Sequence, residues 1–280
     1  MHIAPFDNAN RPLVDAGNAL VPLNYFNIVK LRRGQAFDYR VPGYETCIMP
    51  ATGTIDVDVE GVAFAHLGMR GVDVWDGEPE GVYVPVGAGV TMVCLSETAE
   101  VFVAGAAFDR VFDPFDVRTG QLDVIQYGSD DTKTHRKIKH ILGQKYHDRV
   151  GRLLVSELFT VGAGGWSGFP SHKHDTDRLP LETRHDETYN FRFRPNHGSG
   201  VQMLQRVDGQ PGEAYHIVDG STICLDRGYH PCCVLPGYEM YYFTILGGLT
   251  QRPLVQYFQP SHADQIETIP GIKDMIAKFK

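Results

Sequence analysis

The sequence contains no apolar run approaching the ~20 residues a membrane-crossing helix needs, which excludes a helical membrane span. It has too few cysteines, in the wrong places, for a disulfide framework or a structural zinc knot. Cys47, Cys94, Cys224, Cys232 and Cys233 are odd in number, include an adjacent pair and form no CxxC. Basic charge is in deficit. With 26 Lys and Arg against 34 Asp and Glu, the net charge is -8, so the chain offers nothing to attract nucleic acid or an anionic membrane. The first residues, Met1 to Asp7, lack the basic and apolar regions of a signal peptide, and there is no Asn-x-Ser/Thr sequon. The expectation is a cytoplasmic protein. Long amphipathic helical patterns are scarce, and neither low-complexity tracts nor solenoid repeats occur.

What is present is short apolar alternation bounded by turn residues. Residues 54–59 and 81–86 alternate with period 2, and 90–95 and 100–104 are short apolar runs between Gly, Asp and Pro. The second half repeats the habit at 153–161, 187–194, 200–207, 214–218, 221–225 and 240–246. This spacing predicts an all-β barrel or sandwich. Gly-bounded turn–strand–turn units at 77–87 and 220–228 are loosely alike and favour two stacked barrels. The expected division is a first barrel over 1–110, a connecting segment over 111–150, a second barrel over 151–262 and a short C-terminal helix over 263–280. The basic residues of the connecting segment, Lys133 to Arg152, read as a solvated face, and His135, His140 and His147 as surface or subunit-contact histidines.

One cluster carries chemistry. His172 and His174 are two apart, so on a strand both imidazoles share a face and Lys173 points away. In the stretch 186–193, Glu187, Tyr189, Phe191 and Phe193 share one face, an acid backed by aromatics, and His230 follows a tight turn at Gly228. Three imidazoles and a carboxylate suit one divalent ion, Zn or Mn first, with Fe or Ni as alternatives. Because no thiolate closes the set, the centre would keep open positions for chemistry. His185, beside Asp186 in a charged stretch, reads as solvated, and Trp166 as packing beneath the ligand strand.

At these residues the sequence becomes recognisable. Gly165, His172, His174 and Glu187 resemble the first cupin motif with a lengthened gap before the acid. Gly220, Asp226, Gly228 and His230 resemble the second, with Asp226 in place of its proline and one residue missing before the histidine. More narrowly, the chain resembles the family of 5-deoxy-glucuronate and 5-keto-4-deoxyuronate isomerases. The stretches that carry this are Gly165-Trp166-Ser167, Pro170-Ser171-His172-Lys173-His174-Asp175, Glu187-Thr188-Tyr189, Arg227-Gly228-Tyr229-His230-Pro231 and Gly237 to Tyr242, with Asn190 departing from an expected aromatic. The resemblance implies a bicupin with metal only in the C-terminal barrel, held by His172, His174, Glu187 and His230. The first half, with only His2 and His66, has no equivalent set.

The implied activity is aldose–ketose isomerisation of an open-chain uronate, 5-deoxy-glucuronate in inositol catabolism, with the pectin-derived 5-keto-4-deoxyuronate as the alternative. An Fe(II) cupin dioxygenase and a non-catalytic sugar-binding cupin are the competing classes. Tyr189 and Tyr242 are the expected catalytic residues, with His216 a further candidate base. Gln205 and Arg192 are the expected substrate contacts, although strict alternation places Arg192 outside the barrel unless a bulge intervenes. The expected partner is a small sugar acid, with no nucleic acid or membrane, and the expected assembly is a homo-oligomer whose subunits cover exposed strand edges.

Overall fold

The computed structural model describes residues 1–279, and strands dominate it. In the first half, the long strand Tyr44–Val59 is the hub. Its first part pairs with Thr98–Ala107 and Gly81–Val84, and its second part with Val62–Arg70 and Val90–Cys94. A strand of 16 residues can serve two sheet faces only if it bends. The pairing register shifts between Pro50 and Thr52, where the proline cannot donate to the ladder. Ile48, Ile55, Val57, Leu67, Val82, Met92 and Val103 fill the core this produces.

The second half is built on a seven-stranded antiparallel sheet. Its order is His2–Ile3, Thr222–Leu225, His185–Arg194, Glu239–Gly248, Leu153–Thr160, Arg136–Leu142 and Asp123–Tyr127. A four-stranded sheet, Gly165–Ser167, Cys232–Val234, Ser199–Leu204 and Glu213–Val218, faces it. Tyr189, Phe191, Phe193, Leu204, Ile217, Val234, Met240 and Tyr242 pack between them. The period-2 reading of 186–193 therefore holds: the Glu187 face lines this barrel, and the Thr188 face looks toward the first half. A joint core unites the halves, with Phe26, Met49 and Phe102 from one side meeting Val155, Tyr241 and Phe243 from the other. The all-β, two-barrel expectation is met, as is the absence of disulfides, all five cysteines being free.

Two expectations are corrected. Residues 111–150 are not a solvated connector, because Asp123–Tyr127 and Arg136–Leu142 form the outer strands of the seven-stranded sheet. Arg136, Lys139 and His140 are buried there. Lys139 pairs with Glu78 at 2.8 Å and lies over the Phe159 ring, so its charge is compensated where periodicity alone suggested solvent. The C-terminal helix is shorter than 263–280. Pro260–Glu267 forms a 3-10 helix, Pro270 and Gly271 break the chain, and the α-helix runs Ile272–Phe279. Ile269, Ile272 and Met275 pack on Ile125, Tyr127 and Ile138. Among the described residues no helix is long and apolar enough to cross a membrane.

Candidate metal centre

The strand His172–Lys173 pairs with Tyr257–Phe258 as a short ribbon at the barrel mouth, bringing His172 and then His174 inward. Glu187 enters from the strand His185–Arg194, where it pairs with Leu225 of Thr222–Leu225. His230 comes from the turn before Cys232–Val234. One ligand atom from each of His172, His174 and His230 lies within 4.8 Å of the other two. Glu187 Oε2 stands 3.0 Å from His174 Nε2 and 3.1 Å from His230 Nε2. All four candidate ligands thus converge, with the carboxylate nearest to two of the imidazoles.

Backbone carbonyls orient the rings. His174 Nδ1 faces the His185 carbonyl at 3.1 Å, His230 Nδ1 that of Gly228 at 2.7 Å, and His172 Nδ1 that of Pro170 at 3.4 Å. Each carbonyl can only accept, so each Nδ1 carries the proton and each Nε2 lone pair is turned toward the cluster. This is the second contact that holds a metal-binding imidazole in its productive tautomer. The Gln256 amide lies 2.9 Å from His172 Nε2, and the Thr244 hydroxyl donates to Glu187 Oε1 at 2.9 Å. Although Glu187 Oε2 lies 3.1 Å away, buried His230 Nε2 makes no hydrogen bond of good geometry among the described residues. A divalent cation would satisfy that nitrogen, and the thiolate-free set of three nitrogens and a carboxylate suits one.

Electrostatics agree. Burial, then the neighbouring imidazoles His230 and His174, holds the pKa of His172 well below the usual range, so this ring is a neutral donor. Burial opposes ionisation of Glu187, yet His174 and His230 outweigh it and keep the carboxyl well below its ordinary value. Burial likewise opposes a charge on His174, but the Glu187 carboxylate raises its pKa on balance.

His172, His174 and Glu187 form part of the wall of a cavity with a free volume of about 50 Å³. Tyr189 and Tyr242 line it, their rings 4.7 Å apart. Leu158, Phe169, Leu254 and Phe258 add apolar surface, and Ile272 and Met275 of the terminal helix close it. The Tyr242 hydroxyl is 2.6 Å from Ser167 Oγ.

Several expected site residues lie elsewhere. Arg192 does not line the metal-centre cavity. The strand His185–Arg194 pairs with Glu239–Gly248 without any register shift, so no bulge turns Arg192 inward, and it instead forms an ion pair with Glu100 of the first half. Gln205 is also outside the cavity lining, its amide donating to the Gln210 carbonyl at 2.5 Å and its oxygen accepting from Gln259 at 2.7 Å. His216 is exposed on its strand. His185 is buried rather than solvated, with Nε2 3.2 Å from the Arg252 carbonyl. Trp166 is half-buried against Phe169. Sequence reasoning missed Thr244, Gln256 and above all Arg136, which lines the cavity. No local signal marked Arg136, because it opens a basic run in which Lys139 is buried as well and only Lys137 is partly exposed.

Comparison with known proteins shows what the chain is similar to. A 5-deoxy-glucuronate isomerase from Geobacillus kaustophilus is 29% identical over 224 residues, 80% of this chain and 79% of that protein. One from Listeria monocytogenes is 27% identical over 238 residues, covering 84% and 85%. The crystal structure of an IolB-like protein from Salmonella typhimurium superposes with a TM-score of 0.78 at 23% identity, over 94% of this chain and 93% of that one. An oxalate decarboxylase from Bacillus subtilis shares the fold more distantly, with a TM-score of 0.63 at 10% identity over 92% of this chain and 79% of that one. The model of the KduI/IolB family matches residues 4–265, and the chain belongs to that family.

Proposed function

We propose that the chain is a divalent-metal-dependent aldose–ketose isomerase converting 5-deoxy-glucuronate into 5-dehydro-2-deoxy-gluconate in inositol catabolism. The observation that carries this reading is the convergence of three oriented imidazoles and one carboxylate on a largely apolar cavity. Family membership and the names of the curated relatives support the substrate.

His172, His174, His230 and Glu187 would hold the ion, with Zn or Mn preferred. When bound beside one carboxylate, it would keep a net charge of +1 and supply Lewis acidity to the substrate's carbonyl and adjacent hydroxyl oxygens. The overall change moves a hydrogen from C2 to C1 and the hydroxyl proton from the C2 oxygen to the C1 oxygen. It consumes no co-reactant. The chain's own residues orient the substrate, exclude water and move protons. The apolar wall lowers the local dielectric, which strengthens every charge interaction inside. Tyr189 and Tyr242 present hydroxyls to the cavity, and the contact of Tyr242 with Ser167 Oγ offers a path for a proton. The first barrel, over about 1–110, carries none of the four ligands and serves as a scaffold. A cytoplasmic homo-oligomer completes the reading.

The test is conversion of metal-loaded protein with 5-deoxy-glucuronate and, separately, 5-keto-4-deoxyuronate, followed by proton NMR. Loss of the aldehyde signal of the first without oxygen consumption is expected. Faster turnover of the second would shift the substrate, and iron-dependent oxygen uptake would replace the isomerase reading with an oxygenase.

A further inference from the structure

Arg136 is the one Lys or Arg among the described residues that line the metal-centre cavity. It sits at the start of the strand Arg136–Leu142 and is 2% exposed, yet no carboxylate lies within 4.0 Å of it among the described residues. Its partners are neutral. Nη1 donates to Ser167 Oγ at 2.6 Å, Nη2 donates to the Tyr127 hydroxyl and reaches the Phe169 carbonyl at 3.5 Å, and Nε has no partner. The guanidinium stacks on the Tyr127 ring at 4.7 Å.

The other buried or partly buried arginines contrast with this. Arg70 meets Glu157 with two parallel hydrogen bonds, and Arg192 meets Glu100. Arg252, also without an acid partner and with Nη1 unpartnered, donates Nε and Nη2 to the carbonyls of Leu142, Gly143 and Leu153, but it does not line the cavity. A buried cation without a counterion costs several kcal/mol, a cost that an anion entering the cavity would offset. A planar fork with an unpaired Nε–H is suited to a carboxylate. The hydrogen-bonded row Arg136, Ser167, Tyr242 leads from the guanidinium toward Tyr189 and the histidines.

We propose that Arg136 is the anchor for the substrate's carboxylate, setting the sugar acid across Tyr242 and Tyr189 with its carbonyl end at the histidine cluster. This deepens the isomerase reading and rests on it for the identity of the substrate. It makes the protein selective for acids over the corresponding neutral sugars, and it replaces the role that alternation denied to Arg192.

The experiment compares wild type with Arg136→Gln and Arg136→Lys at equal metal content. Steady-state turnover is measured on 5-deoxy-glucuronate and on its neutral counterpart 5-deoxy-glucose. Calorimetry measures binding of D-gluconate and of sorbitol, which needs no turnover. The expected result for R136Q is a KM for the acid raised at least tenfold, with gluconate affinity weakened to match. Its kcat/KM on 5-deoxy-glucose and its sorbitol binding should change far less than the values for the acids, with R136K intermediate. Thermal unfolding of R136Q should be no lower than wild type, since the change relieves an uncompensated buried charge. Wild-type KM and gluconate affinity in R136Q would overturn the proposal. So would an equal loss on acid and neutral ligands, or a lowered unfolding midpoint with unchanged KM, since both mark a structural residue. If wild type binds gluconate through Arg136 but isomerises nothing, the anchor stands and the isomerase reading falls. If it neither binds gluconate nor turns over the acid, both fall.

Discussion

The Thr244 hydroxyl donates to one oxygen of Glu187 at 2.9 Å, leaving the other oxygen turned to His174 and His230. The two residues sit side by side because Glu187 pairs with Leu246 and Tyr189 with Thr244 across the sheet, so both side chains enter the same barrel. Thr244→Val keeps the shape and removes the hydrogen bond. Contacts of this kind typically contribute ~10- to 100-fold in metal affinity. Metal titration of the stripped variant is therefore expected to give a weaker dissociation constant by about that factor, with unchanged far-ultraviolet circular dichroism. Wild-type affinity would show that Glu187 needs no such support or is not a ligand.

Arg70 and Glu157 tie the two barrels together. The guanidinium and carboxylate meet at 2.6 and 2.7 Å, both almost fully buried, and the Tyr241 hydroxyl adds a third bond at 2.8 Å. Arg70→Met strands a buried carboxylate and is expected to cost about 3–5 kcal/mol in urea unfolding. Replacing both partners, as in R70M with E157M, should recover much of that loss. A single variant within 0.5 kcal/mol of wild type would contradict this account of the joint.

The cavity's free volume, about 50 Å³, admits a few waters but not a six-carbon acid, so the apolar side chains around it must give way on binding. Met275 of the terminal helix borders it. Met275→Trp fills the space and is expected to lower kcat/KM by at least about tenfold while metal content stays constant. Full activity would mean that substrate enters by another route.

Burial pulls the pKa of His140 down to about 4 from 6.5. The folded protein therefore refuses a proton that the unfolded chain accepts. The stability that neutral His140 allows is fully present above pH 6.5, declines as pH falls toward 4, and levels off below. At pH 5 the loss from this residue is about 2 kcal/mol, at 1.36 kcal/mol per unit. Urea unfolding at pH 7 and pH 5 should show wild type losing more than His140→Gln by about that amount. Equal losses would place the acid sensitivity elsewhere.

Much of this site was legible in the sequence because strand periodicity is a local property. The alternation in 186–193 separated Glu187 and Tyr189 from Arg192, and the structure keeps that separation. Local pattern failed where pairing is long-range. Nothing near Lys139 or Arg136 reveals that Glu78 will neutralise one and that a cavity will receive the other. For the same reason the basic stretch was read as a solvated connector when its strands complete the second sheet. His185 was misread from its charged neighbours, its burial being decided by the Arg252 carbonyl 67 positions away. Gln205 was drawn toward Gln210 and Gln259 by loop contacts that no periodicity encodes.

The central claim is that His172, His174, Glu187 and His230 form a metal centre required for isomerisation. Its most direct test is to titrate chelator-stripped protein with Mn or Zn while following the aldehyde proton of 5-deoxy-glucuronate by NMR. The account predicts no turnover in the stripped protein, a linear rise to a plateau at one ion per chain, and no recovery in His174→Ala at the same metal concentration. Full turnover by protein that retains no bound metal would contradict it.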